Sequence, residues 1–441
     1  MSKLYTRGEK IAEGKTKRIC RLIWNGDDKP DPSMVVIQHK DDITAGDGAK
    51  HFIPKGKGAV SGATNDKVFD LLIRCGLPVA FEFTHASSTE FVARKCAMYP
   101  LEVVVRRKAM GSYLKRNPHV PKGALFPRLE AEFYLKTKDK EWRGAKIAKD
   151  DPLIRFTETG AELFHPGEPL ALQAPFMTLT EELAPAEHRQ QMEEIAIKAF
   201  LALEKAWSLL GAELIDFKVE FGLDTAGNLL LADVIDADSW RVLKEGDHLD
   251  KQPFREGEPA SKTLARYRRV KELTDQFQVP KQQVLLFMAS ERDDAAPFLK
   301  SLAHYGFLED DRNHMIRRII GSAHKQPEQV LDALFKTVQE CPDCVIIAAA
   351  GRSNGLGPVL AANTAAPVIT VPLNYADFPN DIWSSLRLPS QVPLQTLMPI
   401  SAVLDPANAV LAAMRILAQR SPWLYMRLGM DVNSRRKNPL I

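Results

Sequence analysis

From residue 282 onward the chain alternates short apolar, β-rich runs with single amphipathic stretches, a pattern that few folds accept. Residues 284–288, 315–320, 345–349 and 368–371 read as strands, and residues 294–305 and 327–339 as the helices between them. Near-continuously apolar strands belong to a parallel sheet covered on both faces, and helical crossovers make it a doubly wound α/β domain. Ligands of such sheets sit beyond the carboxyl ends of the strands. Three polar motifs fall there: Ser290-Glu291-Arg292-Asp293, Gly321-Ser322-Ala323-His324-Lys325 and Ala350-Gly351-Arg352-Ser353-Asn354-Gly355-Leu356-Gly357-Pro358. Histidine suits proton transfer near neutral pH. A histidine after a strand is, taken alone, more often structural.

With 441 residues the chain exceeds a usual single core, so a second domain is expected. The first 260 residues have a different texture. Short β-type runs such as 34–38 and 91–93 are punctuated by Gly, Asp and Pro. A helix is predicted over 65–75, with Val68, Leu71 and Leu72 on one face. A longer one over 187–210 carries a core stripe of Met192, Ile195, Ala196, Ala199, Phe200, Leu203 and Trp207. Strands, an isolated helix and then a strand pair imply an α+β domain. A charged helix-like segment, 261–277, runs up to Val279-Pro280. The expected division is therefore a domain over 1–260, a helical linker over 261–281 and a domain over 282–441.

Bulk properties remove several function classes. Lys and Arg number 59 against 56 Asp and Glu, and a net charge of +3 indicates neither nucleic acid nor an anionic membrane as partner. No apolar run approaches the roughly 20 residues needed to span a bilayer. The opening residues Met-Ser-Lys-Leu-Tyr-Thr-Arg-Gly-Glu-Lys hold no apolar signal core, so a cytoplasmic enzyme is expected. Of five scattered cysteines only Cys341-Pro-Asp-Cys344 has metal or redox spacing, and no second pair completes a site. Cys344 opens the apolar run 345–347, so core packing is expected.

The first domain concentrates charge in a few places. Residues 103–105, Val-Val-Val, deliver Arg106-Arg107-Lys108 to a Gly111-Ser112 turn, with Lys115-Arg116 behind. Guanidinium forks, a hydroxyl and backbone amides beside a glycine suit a phosphate or carboxylate; a solvated basic loop is the alternative. Gly14-Lys15-Thr16 is not a Walker A motif, because Glu9 stands where the first glycine belongs and a strand-like run, 18–24, follows. Asp216, Lys218 and Glu220 share one strand face by the two-residue period. If the Asp224-Thr225-Ala226-Gly227 turn pairs residue 223 with 228, Asp233 joins that face opposite Lys218. Two carboxylates beside a lysine can hold a magnesium ion, or form a surface salt-bridge lattice.

Taken in order, Glu13-Gly14-Lys15-Thr16-Lys17, Asp42-Ile43-Thr44-Ala45-Gly46-Asp47-Gly48-Ala49, residues 101–116, 214–222, 232–241 and Leu249-Asp250-Lys251-Gln252 resemble the SAICAR synthetase family of purine biosynthesis. The motifs of 321–325 and 350–358 resemble the AIR carboxylase family, in the form typical of animal-type bifunctional enzymes. The resemblance implies a flavodoxin-like AIR carboxylase domain behind an α+β, SAICAR synthetase-like ligase domain. It implies that AIR is carboxylated with CO2, without biotin or ATP, and that the carboxylated AIR is condensed with L-aspartate at the expense of ATP. A homo-oligomer, as large as an octamer through the carboxylase domain, is implied too.

The implied ligase residues are Lys15 and Lys17 for ATP, Glu220 and Asp233 for Mg2+, and Arg106 and Ser112 for the nucleotide phosphate. Lys218, Asp238 and Arg241 are implied at the nucleotide and its reacting end. Asp42, Thr44, Gly46 and Asp47 form a closing loop, and Asp250, Lys251 and Arg255 match a site segment without individual roles. In the carboxylase, His324 moves the ring proton. Ser290, Asp293, Ser322, Lys325, Arg352, Ser353, Asn354 and Gly355 contact nucleotide or CO2. Two departures stand out: Ala289 and Arg292 replace a glycine and a small hydroxyl of the first loop, and Gln391-Val392-Pro393-Leu394 lacks the usual glycines. They leave a second reading, a monofunctional ligase with a degenerate carboxylase domain kept for oligomerisation.

Overall fold

A computed structural model describes residues 4–45, 50–84, 89–255, 257–351, 354–384, 401–402 and 405–438. It divides into two units, Met1–Gln278 with Gly429–Ile441, and Val279–Leu428.

The first unit holds two large antiparallel sheets and two short two-stranded ones. One large sheet orders the strands Tyr5–Glu13, Lys17–Trp24, Asp31–His39, Glu90–Arg94 and Phe81–Thr84. The other is centred on Ala97–Lys108 and Ala212–Leu223, flanked by Leu125–Leu135 and Trp240–Lys244. Alternation makes this second sheet two-faced. Val103, Val105, Phe217, Val219 and Phe221 are buried on one side, where the helix Ala186–Leu209 covers them. Phe200 meets Phe217 edge-to-face at 5.6 Å, and Trp207 meets Trp240 and Phe277 at 5.4 and 5.0 Å. The other face carries the charges.

Three expectations are corrected here. The helix predicted over 65–75 runs from Lys57 to Arg74. Its start is set from outside the segment, because the Asp41 carboxylate accepts the N–H groups of Gly56 and Gly58 at 3.1 and 2.7 Å. The supposed linker is also no linker. Helix Ala260–Thr274 packs on the Lys57–Arg74 helix, burying Tyr267, Val270 and Leu273, and so belongs to the first unit. Residues 429–441, assigned from the sequence to the second domain, belong there as well.

The second unit is a parallel sheet in the order His314–Ile320, Gln282–Met288, Cys344–Ala350, Val368–Pro372, Ser401–Ala402. In chain order this is 2-1-3-4-5, the flavodoxin-like arrangement. Val284 to Phe287 and Val345 to Ala349 are fully buried. Cys341 and Cys344 are buried and unbonded, as core packing requires.

Candidate active sites

The charged face of the first unit is built by register. Asp216 lies opposite Arg106, Lys218 opposite Val104 and Glu220 opposite Glu102, while Arg241 flanks Asp216 on the other edge. Directly opposed residues share a face, so acids and bases from four strands converge. Glu220 contacts Lys136 and, at 3.3 Å, Lys218, which reaches Glu102 at 2.7 Å. Burial works against the Glu220 charge, but Lys218, Lys136 and Lys17 hold its pKa down to about 2. Lys17 forms an ion pair with Asp233. Burial depresses the Lys17 pKa to about 8, against the pull of Glu220. Lys15 is exposed in the turn before it.

The strand pairing behind Asp233 differs by one residue from expectation. Leu223 pairs with Leu229, because the Asp224 N–H donates to the Asn228 carbonyl and only 225–227 form the loop. Gly227, at φ +84°, closes this three-residue turn. Asp233 therefore does not oppose Lys218, whose N–H instead donates to the Ser239 carbonyl. Asp233 instead forms its ion pair with Lys17, whose charge also acts on Glu220.

Further along the face Arg106 is 3% exposed, with Nε 2.7 Å from Glu132 and Nη1 2.6 Å from Asp216. Asp216 also binds Arg241, and Glu132 binds Arg116. Arg241 lies against Gly111, at φ +61°, so closely that a Cβ would overlap its guanidinium. The 106–112 motif and Arg241 are thus one cluster, with Ser112 opening the short helix Ser112–Arg116.

Asp238 forms a third centre. Its carboxylate accepts from Lys57 at 3.1 Å and from the Tyr267 hydroxyl at 2.5 Å, and Lys251 lies 3.3 Å away. Burial opposes its ionisation, yet Lys57 and Lys251 keep its pKa far below the usual range. The neighbouring Asp236 goes the other way: burial raises its pKa. Asp250 is structural, accepting the N–H groups of Val242 and Gln252 at 3.1 and 2.6 Å. Asp42 pairs with His51 at 2.6 Å. Thr44 lies on the short strand Ile43–Ala45, while Gly46 and Asp47 lie outside the described residues, as does the Arg255 side chain.

Sequence reasoning missed Lys57, Glu102, Glu132, Lys136 and Tyr267. Glu102 on the neighbouring strand, Glu132 on the next one and Lys136 just past its end keep the two-residue period of that face. Lys57 and Tyr267 carry no such signal, since each is buried on a helix among other buried polar residues, Ser61, Thr64 and Asn65 on one and Thr263 on the other.

In the second unit the loops beyond the strands converge. Asp293 accepts the Ser290 N–H at 2.8 Å, and burial raises its pKa. The Asp293 carboxylate also borders Gly351, where a Cβ would stand 3.3 Å from it. Ser322 accepts the Lys325 N–H at 3.3 Å. His324 packs on Gly355, where a Cβ would stand 2.5 Å from Nε2. Asn354 is buried, its N–H donating to Ser384 Oγ at 3.1 Å. Arg352, Ser353 and 391–394 lie outside the described residues. Ala289 is not among the residues with positive φ, so its side chain brings no backbone strain. Arg292 is exposed.

A face where paired carboxylates sit among lysines and arginines, and a doubly wound sheet with a histidine loop at its carboxyl end, define a two-unit enzyme. The family profile of SAICAR synthetase matches residues 10–270, and that of AIR carboxylase matches residues 283–438. A "Probable multifunctional protein ADE2" of Caenorhabditis elegans is 36% identical over 446 residues, covering 98% of this chain and 94% of that one. A bifunctional phosphoribosylaminoimidazole carboxylase/phosphoribosylaminoimidazole succinocarboxamide synthetase of Drosophila melanogaster is 34% identical over 441 residues, covering 96% and 92%. A SAICAR synthetase solved in complex with ADP is 29% identical, with a TM-score of 0.46, covering 60% of this chain and 98% of that one. The chain belongs to the family of bifunctional AIR carboxylase/SAICAR synthetases, enzymes of purine biosynthesis that combine a ligase and a lyase. Matches along nearly the whole length favour two activities over a ligase with a degenerate partner domain. Among the described residues no helix is long and apolar enough to cross a membrane.

Proposed function

We propose that the second unit carboxylates AIR with CO2 and that the first joins the product to L-aspartate, consuming ATP. The observation that carries the ligase assignment is Glu220, ion-paired with Lys136 and Lys218 and kept ionised by them and Lys17, with Asp233 paired to Lys17. A carboxylate is a poor electrophile, so ATP first converts it to an acyl phosphate, which the aspartate amine then opens with loss of phosphate. Such chemistry asks the protein for positioning and charge neutralisation. Lys17 and Lys15 neutralise the ATP phosphates. Arg106, Arg241 and Ser112 face the nucleotide phosphate, while Lys218 and Asp238 orient the reacting carboxylate end.

Glu220 and Asp233 fit a magnesium ion. Carboxylates are hard oxygen donors; Glu220 is held ionised by Lys218, Lys136 and Lys17, and Asp233 forms an ion pair with Lys17. Held there, magnesium would supply charge neutralisation for the ATP phosphates.

In the second unit His324 takes the proton from the carboxylated ring carbon and returns it in reverse. Ser290, Asp293, Ser322, Lys325 and Asn354 hold the nucleotide, with Arg352 and Ser353 assigned by motif alone. Exposed Leu308, Ile320 and Phe335 support self-association of this unit. That the assembly is a homo-oligomer, up to an octamer, and works in the cytoplasm is carried over from the family. Light scattering tests the assembly. The two half-reactions are tested separately on one preparation: AIR consumption with bicarbonate, and ligation of supplied carboxylated nucleotide. Ligation without AIR turnover would return the degenerate-domain reading.

A further inference from the structure

The Leu125–Leu135 strand breaks register beside the Arg106 cluster. Glu130 pairs with Arg106, but Leu125 pairs with Lys108, so residues 126–129 oppose Arg107 alone. A bulge of this kind takes backbone donors out of the ladder. The N–H of Leu129, itself buried, donates to Asn433 Oδ1 at 2.7 Å, and the N–H of Arg128 to Asn438 Oδ1 at 3.0 Å. Asn438 Nδ2 donates to Glu130 Oε2 at 3.2 Å, and Arg436 Nη1 to the Pro127 carbonyl at 3.2 Å. Gly429 lies tight on the Ala186–Leu209 helix, where a Cβ would stand 3.1 Å from Leu201. Every one of these partners belongs to the first unit.

We infer that residues 429–438 are a positioning element of the ligase site, although the chain reaches them only after the carboxylase unit. They satisfy the bulge that sets Glu130 and Glu132. Glu132 in turn grips Arg106 and Arg116. Asn433 and Asn438 thus act on the guanidinium pair through two intervening residues, and a buried N–H such as that of Leu129 does not tolerate loss of its acceptor. The site role rests on the assignment of Arg106 to the nucleotide phosphate; the clamp itself does not.

The test uses the full chain carrying Asn433→Leu or Asn433→Asp. Aspartate keeps an oxygen for the Leu129 N–H, whereas leucine matches the volume and offers none. Asn433→Leu should raise the KM for carboxylated nucleotide at least fivefold, leaving the ATP KM and AIR carboxylation within twofold of wild type. Asn433→Asp should return it to within twofold. Amide exchange over 126–130 should quicken at least tenfold in Asn433→Leu alone. A wild-type nucleotide KM in Asn433→Leu, an equal rise in every KM, or failure of Asn433→Asp to rescue would overturn the inference. If wild type itself does not ligate, the proposed function fails and the site role with it, and exchange rates alone then decide for or against the clamp.

Discussion

Replacing Arg106 with alanine should cost stability before it costs affinity. The guanidinium is buried between Glu132 and Asp216 at 2.7 and 2.6 Å. Breaking a buried ion pair by removing one partner typically costs 3–5 kcal/mol, because the remaining charge is left uncompensated. Here each carboxylate keeps a second arginine, Arg116 on Glu132 and Arg241 on Asp216, which points to the low end, about 3 kcal/mol. At roughly 2 °C per kcal/mol for a unit this large, the melting transition should fall by about 6 °C. Arg106→Lys, keeping the charge without the fork, should fall about half as far. The pH dependence supplies the sign. In wild type, burial opposes the Glu132 charge, but Arg106 and Arg116 hold its pKa below the ordinary carboxylate value. That contribution is complete above the unfolded pKa and is lost only as pH falls through the folded one. Glu132 itself therefore adds no slope between pH 7 and 5 in wild type, and the slope from Glu130, which burial raises to about 6, is present before the substitution. In Arg106→Ala the uncompensated carboxylates rise in pKa, the folded state binds more protons, and stability increases as pH falls. Scanning calorimetry of both proteins at pH 7, 6 and 5 should show the deficit shrinking with acidity. A loss under 1 °C at pH 7, or one independent of pH, refutes the argument.

Asp233→Asn should leave the protein folded and abolish aspartate ligation while sparing carboxylation, since an amide cannot replace an anionic ligand for magnesium; near-normal ligation at ordinary magnesium concentration rules the assignment out. Lys17, depressed to about 8 by burial, should lose its charge as pH rises through that value. The ligation kcat/KM for ATP should then fall by up to tenfold per pH unit above 8, and Lys17→Met should remove that limb from the profile. His324→Asn should stop AIR consumption and spare ligation of supplied carboxylated nucleotide, because asparagine keeps a hydrogen bond but carries no proton; unchanged AIR turnover would exclude the histidine.

What the sequence made legible follows from period and run length. Asp216, Lys218 and Glu220 had to share a face once 214–222 formed a strand, and the predicted 187–210 helix is Ala186–Leu209. The parallel sheet was readable because its inner strands, Gln282–Met288, Cys344–Ala350 and Val368–Pro372, are buried on both faces. What escaped depends on contacts from afar. No local signal starts a helix at Lys57, because Asp41 supplies the cap across a turn. The residues after 260 looked like a junction because Tyr267, buried on that helix, finds its partner far away in Asp238.

The same logic explains why Arg106 is easy to spot and hard to interpret. A strand that ends in Arg-Arg-Lys advertises an anion site, but sequence does not show which anion. In the fold the first anions Arg106 meets are the protein's own, Glu132 and Asp216, and Arg116 and Arg241 share them. Three arginines held by two carboxylates retain net positive charge in a rigid arrangement. A phosphate arriving there finds guanidinium groups already oriented, so less entropy is spent on ordering them at binding. Positioning acids such as Glu132 are therefore as much part of an anion site as its arginines. They are found only by asking, strand by strand, which residue lies opposite which.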